Sequence, residues 1–221
     1  MTHLEIMQEL DRILRYDGQV TDAGNTFDDR KPLYRGIVTS AIWACQKRCN
    51  CPPPVLTTIS VAAGVPSLAL ESSHRVWWVL RAWWNDSELA VRPESARLMV
   101  GAPSDTGTPS MLRTYGGYAV PTPIPSQSGQ LRVLGYRLAP AITSGNETNE
   151  LEDVPTTLHR SLAVWAAYLF LLPYTEQGAK AERYRYIAET EWDNWRGEAL
   201  MTSRRTRSPL IPPGWVYPEI D

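Results

Sequence analysis

The sequence predicts an α+β fold: an antiparallel helical bundle of two N-terminal and two C-terminal helices, with a β-rich insert and an extended C-terminal arm. Three observations predict it. Apolar residues recur at helical spacing over 1–51 and again over 153–201. Between them, 52–152 breaks into short alternating or apolar runs separated by Pro and Gly. Beyond 201, the span 208–221 holds four prolines, which forbid most regular structure. The domains read as 1–51 with 153–201 for the helical body, 52–152 for the insert and 202–221 for the arm.

Thr2 and Glu5 form a T-x-x-E capping box, so the first helix opens there. Leu4, Met7, Leu10, Ile13 and Leu14 line one of its faces, and Tyr16-Asp17-Gly18 ends it. A polar loop follows. Asp28 and Asp29 before Pro32 suit the start of a second helix, where acidic groups meet the positive end of the dipole. Leu33, Ile37, Ala41 and Ala44 supply its apolar face, and Pro52-Pro53-Pro54 stops it.

From Val55 the period changes to two: Val55, Thr57, Ile59 and Val61 alternate before the turn at Gly64-Val65-Pro66. Strands are expected at 74–84, 89–92, 111–115, 118–121 and 131–136, with Gly116-Gly117 among the turns, forming a small sandwich or barrel-like sheet. The stretch 87–101 could instead hold a short helix. Residues 143–152 read as a loop. Asp153 and Pro155 open the third helix, with Leu158, Leu162, Trp165, Leu169 and Leu172 at helical spacing as far as Pro173. After Gln177-Gly178, a fourth helix carries Ala181, Tyr184, Ala188, Trp192 and Trp195 on one face and charges on the other. The short connection makes these last two antiparallel neighbours.

Composition narrows the function classes. The net charge is −2, with 43% hydrophobic and 21% charged residues, so the chain reads as globular and not as a nucleic-acid binder. The apolar run 162–172 is too short to span a bilayer, and the N-terminus lacks a signal-peptide pattern; a soluble cytosolic product is expected. Basic residues are nearly all Arg, which suits interfaces and phosphate contact, although a GC-rich genome gives the same bias. Cys45, Cys49 and Cys51 match neither a disulfide framework nor a zinc spacing, and His3, His74 and His159 are scattered. No phosphate loop, dinucleotide fingerprint or nucleophile elbow occurs. Glu189, Glu191 and Asp193 read as a solvated helix face. No enzyme, cofactor or metal site is expected. Trp77-Trp78 and Trp83-Trp84 could stack sugars, but neighbours on a strand face opposite ways, so half of them must point into a core.

The arm combines basic Arg204, Arg205 and Arg207 with apolar Leu210, Ile211, Trp215, Val216 and Tyr217. Such a segment is wrong for an inert tail. It either orders against another surface, for instance at a sheet edge, or folds back on its own domain.

The order of elements resembles the head-to-tail adaptor (connector) proteins of tailed bacteriophages. The residues that carry this are Leu10-Asp-Arg-Ile-Leu, the stretch Thr57-Thr-Ile-Ser-Val-Ala-Ala-Gly64 with Val65-Pro66 and Leu68, and Gly107-Thr108-Pro109 followed by Tyr115. Leu131-Arg-Val-Leu-Gly-Tyr136 with Pro140 continues the likeness, and Asp153-Val-Pro155 with Leu158-His159 leading into Ala163 matches best. The crowded tryptophans and the 121–125 proline run depart from the family pattern. The resemblance implies a structural virion protein, made in the host cytoplasm, that forms a ring of about twelve copies at the head–tail junction. Its partners would be the portal protein on one side and a tail or nozzle protein on the other. DNA would pass through the lumen without sequence-specific binding, and no membrane is involved. Arg204, Arg205, Arg207, Leu210, Ile211, Trp215 and Tyr217 would dock on the portal or a neighbouring subunit. Alternatives are another virion ring component, such as a head-completion or tail protein, and a Trp-rich carbohydrate-binding module.

Overall fold

The structure, a computed structural model, describes residues 1–21, 25–51, 53–93 and 105–206, with side chains as far as Ala199. The expected four-helix bundle with a subordinate β-rich insert is corrected: the described residues form five helices and a seven-stranded sheet that is a major part of the molecule. The described residues divide into two compact units, one built from 1–51 and 139–206, the other from 53–138.

In the helical unit, α1 (His3–Tyr16) carries the Thr2/Glu5 capping box, and α2 (Phe27–Cys49) opens on a second one formed by Thr26 and Asp29. A short 3-10 turn (Thr156–Leu158) leads into α4 (His159–Leu171), and α5 (Gly178–Thr206) follows. Ile6, Met7, Leu10, Leu14, Tyr34, Val38, Ile42, Leu162, Leu171 and Trp192 form one core. The expected face of α2 holds in part: Ala41 is buried and Ile37 and Ala44 pack half-buried on the core, but Tyr34, Val38 and Ile42 are buried more deeply than the expected line. Tyr34 turns inward to Asp11, and a one-residue step rotates a helix face by about 100°, which leaves Leu33 55% exposed.

A second face of α2 does work that hydropathy cannot reveal. Thr39, Trp43 and Gln46 capture the backbone of the segment that begins at Ala139. The Ile142 N–H donates to Thr39 Oγ1 (3.0 Å), Trp43 Nε1 donates to the Ala139 carbonyl (2.9 Å), and the Ala139 N–H donates to Gln46 Oε1 (2.9 Å). Gln46 Nε2 reaches on to the Asp153 carbonyl at 3.3 Å. Gln46 is wholly buried, so these bonds satisfy a side chain that would otherwise be costly to desolvate. Arg48 then clamps α2 to α5, with Nη2 2.8 Å from Asp193 and Nη1 2.9 Å from Glu189. The acidic stripe read as solvated is in part this clamp.

In the other unit the strands are β1 (Val55–Val61), β2 (Leu68–Ala69), β3 (Val76–Trp84), β4 (Ser87–Pro93), β6 (Met111–Tyr115), β7 (Tyr118–Thr122) and β9 (Gly129–Arg137), in the order β1-β9-β3-β4-β6-β7-β2. A separate pair joins β5 (Thr106–Gly107) and β8 (Ile124–Pro125), and a short helix α3 (Leu70–His74) follows β2. Within the seven-stranded sheet one pairing, β4 with β6, is parallel, and the separate β5–β8 pair is parallel too. Two-residue turns close both tight hairpins: Asn85-Asp86 and Gly116-Gly117 have positive φ throughout, as the right-handed twist of flanking strands requires.

Strand β3 explains its four tryptophans. Against β9 its register slips twice, between Val76 and Trp78 and between Val79 and Arg81. Each bulge adds a residue, so burial falls at Val76, Val79, Ala82 and Trp84 and not at every second position. Trp77 and Trp78 therefore both escape the core. Gly135 sits where the bulged strand approaches β9 most closely: a Cβ there would lie 2.4 Å from the Trp78 carbonyl oxygen. Gly135→Ala is expected to destabilise by about 1–3 kcal/mol or more, because backbone on both sides must move; urea denaturation measures it, and an unchanged midpoint would refute this account of the bulge.

Candidate interaction surfaces

The ionisable groups of the described residues serve the framework. Asp11 is buried and receives three partners: Tyr34 Oη donates to Oδ1 (2.8 Å), Arg30 Nε donates to Oδ1 (3.0 Å) and Arg15 Nε donates to Oδ2 (2.5 Å). Burial pushes this carboxyl up, but the hydrogen bonds from Tyr34, Arg15 and Arg30, with the Arg30 charge, together hold it below its ordinary value. The cysteines are free and buried, and burial followed by the neighbouring Cys49 and Cys51 pushes the Cys45 thiol well up, which keeps it protonated and unreactive. Among the described residues no group of three or more His, Cys, Asp or Glu is placed to hold a metal ion.

His159 lies in the wall of a cleft of about 990 Å³, lined by Met1, residues of 150–160 and the middle of α5. Its ring turns inward, Nε2 2.9 Å from the Val154 carbonyl, and burial depresses its pKa. The unfolded chain takes up a proton here near pH 6.5 while the folded one resists, so stability falls as pH drops below about 6.5. A His159→Gln variant is expected to lose that part of the pH dependence between pH 7.5 and 5.5 in thermal melts; an unaltered slope would rule out His159 as its source.

Exposed apolar groups occur in both units. In the helical unit Tyr16 (92% exposed), Leu33, Leu172, Tyr174 and Tyr186 (71%) reach water. The ends of α1 and α5 are tied together by Tyr184, whose hydroxyl donates to the Asp17 carboxylate. Tyr34 against Phe170 (6.3 Å) and Phe170 against Tyr174 (6.1 Å) join α2 to the end of α4. Aromatic side chains left in water suit an interface.

In the sheet unit a cleft of about 120 Å³ is walled by Trp77, Trp78, Pro93, Thr114, Tyr115 and Tyr118. The bulge in β3 presents the two tryptophans together, and the Gly116-Gly117 turn presents the two tyrosines. Helix α3 fixes that turn: the Glu71 N–H donates to the Gly117 carbonyl at 2.9 Å, and a Cβ on Gly117 would lie 2.7 Å from the Glu71 Cβ. The remaining tryptophans are engaged elsewhere. Trp84 is buried, and Trp83 lies under the guanidiniums of Arg81 (5.1 Å) and Arg132 (5.9 Å). Trp77 and Trp78 are tilted by 53° to each other, not coplanar, so the described tryptophans make no flat platform for a sugar chain.

Of the residues singled out in the arm, Arg204 and Arg205 fall in the last turns of α5, whose backbone continues to Thr206. The extended arm expected from 202 is corrected there: a propagating helix adds one bond per residue, and Thr202, Ser203 and the arginines do not break it. Arg207, Leu210, Ile211, Trp215 and Tyr217 lie outside the described residues. Sequence reading missed the cleft because a β-bulge leaves no periodic trace; the Gly-Gly turn between two tyrosines was its one visible mark.

The family model of the SU10 adaptor protein matches residues 1–213. The chain belongs to this family. It is a phage head–tail adaptor, a structural protein of the virion, and the match runs through both units. No curated protein matches it. No described helix is long and apolar enough to cross a membrane.

Proposed function

We propose that this adaptor forms a closed ring at the head–tail junction, linking the portal to a tail component and continuing the channel through which DNA passes. The family match over residues 1–213 carries the reading. A ring repeats one heterologous contact until it closes, so each subunit needs two different sticky surfaces. The exposed aromatic side chains of the helical unit and the aromatic cleft of the sheet unit supply distinct candidates, with tyrosine and tryptophan as anchors of the kind that dominate interface energetics. The segment holding Arg204, Arg205, Arg207, Leu210, Ile211, Trp215 and Tyr217 docks on the portal or on a neighbouring subunit. DNA is conducted without sequence readout, which a chain of net charge −2 can do because the lumen need only avoid trapping it.

Imaging of the native particle by electron microscopy tests this. The expected image is a closed ring of this chain stacked between portal and tail. Density for the chain confined to another part of the virion, or scattered as monomers, would overturn the reading.

A further inference from the structure

Strands β3 and β4 stay together only next to their hairpin, where Ala82–Trp84 face Ser87–Leu89. From Ala90 onward β4 pairs with β6 instead. Over Val76–Arg81, β3 is therefore bonded to β9 on one side and to no described strand on the other. The aromatic cleft occupies this fork. Trp78 is 49% exposed, Tyr115 38% and Tyr118 50%, while the Trp77 indole Nε1 is buried and finds no acceptor among the described residues. Exposed aromatic rings lining a narrow slot, beside backbone without a described strand partner, make the setting in which proteins hold extended proline-rich peptides. Pyrrolidine rings fit between aromatic walls, and a segment already extended loses little freedom on binding.

The chain carries such a segment itself. Pro209-Leu210-Ile211-Pro212-Pro213 is a P-x-x-P sequence, and it begins three residues after Thr206, the last described residue of α5. At about 3.1 Å per residue, the fifteen residues of 207–221 reach roughly 45 Å in polyproline conformation. That length suits a segment passed from one subunit to the next. We propose that the 209–213 segment of one copy docks in the aromatic cleft of a neighbouring copy, stitching the subunits together. This rests on the ring reading above and names the receptor for the arm.

The test uses full-length chains in assembled particles. Two differently tagged copies are co-expressed, and only one carries a photoreactive phenylalanine analogue at position 211. On irradiation, the cross-links are expected at Trp78, Tyr115 or Tyr118 of the copy with the other tag. Cross-linking should fall about tenfold, the effect of a loss near 1.4 kcal/mol, with Pro209→Ala plus Pro212→Ala in the donor. It should fall equally with Trp78→Ala plus Tyr118→Ala in the receiver, whose exposed positions leave folding intact by circular dichroism. Cross-links confined to the portal, to another surface or to the same chain would overturn the proposal while a ring seen by microscopy leaves the ring reading standing. Absence of any ring in the same particles would remove both.

Discussion

Asp11→Ala lowers the stability of the helical unit by about 3–5 kcal/mol, as expected when one member of a buried ionic cluster is removed. The carboxylate lies where α1 faces α2, and the guanidiniums of Arg15 and Arg30 and the phenol of Tyr34 all converge on it. Arg30 Nη2, 2.8 Å from Oδ1, makes no well-directed hydrogen bond of its own among the described residues, so its contact is purely ionic. Without Asp11 the largely buried Arg30 charge has lost its counterion and Tyr34 its acceptor. Tyr34→Phe removes one hydrogen bond and is expected to cost only about 1 kcal/mol. Chemical denaturation of the two variants separates the ionic from the hydrogen-bonding part, and equal losses would refute the assignment. The same group sets an acid limit. Its folded pKa lies below the unfolded value, so its stabilisation is complete above about pH 4 and disappears as pH falls through the folded pKa.

Trp192→Ala is expected to cost about 3–5 kcal/mol and to loosen α5 from α4. Trp192 is the largest fully buried side chain among the described residues, its ring 4.7 Å from that of Trp165 and tilted 38° to it, with Nε1 donating to Ser161 Oγ at 2.8 Å. Alanine leaves a cavity and removes the donor to Ser161 Oγ, which keeps only its own bond to the Leu158 carbonyl (2.7 Å). Hydrogen exchange is expected to show lost protection in both helices. Trp192→Phe refills most of the volume and should recover most of the stability; no recovery would mean that the hydrogen bond dominates and not the packing.

What could be read in the sequence followed from how local each signal is. The Thr2/Glu5 box, the Gly-Gly turn and the strand at Met111–Tyr115 are set by neighbours within a few residues, and the structure has each where the sequence puts it. Ala181, Ala188 and Trp192 are buried on one face of α5, as their spacing indicates. The failures are non-local. The parallel pairing of Ala90–Pro93 with Met111–Thr114 makes one continuous sheet out of runs that looked like a minor sandwich, and no short window encodes which strands become neighbours. The face of α2 was only partly legible because Tyr34 is drawn to a carboxylate on another helix and because Thr39 and Gln46 are buried for their hydrogen bonds, not their hydropathy. In the candidate surfaces, the individual aromatics were visible but their assembly into a cleft depended on two bulges that alternation cannot foresee.

The first and last strands of the sheet unit are hydrogen-bonded neighbours: Val55, where the chain begins β1, stands opposite Gly135, near where β9 gives the chain back. The polypeptide thus departs and returns through two adjacent strands, like the twin leads of a plug. Lengthening or shortening a loop between them leaves the spacing of those two leads unchanged, because it is set by their own hydrogen bonds.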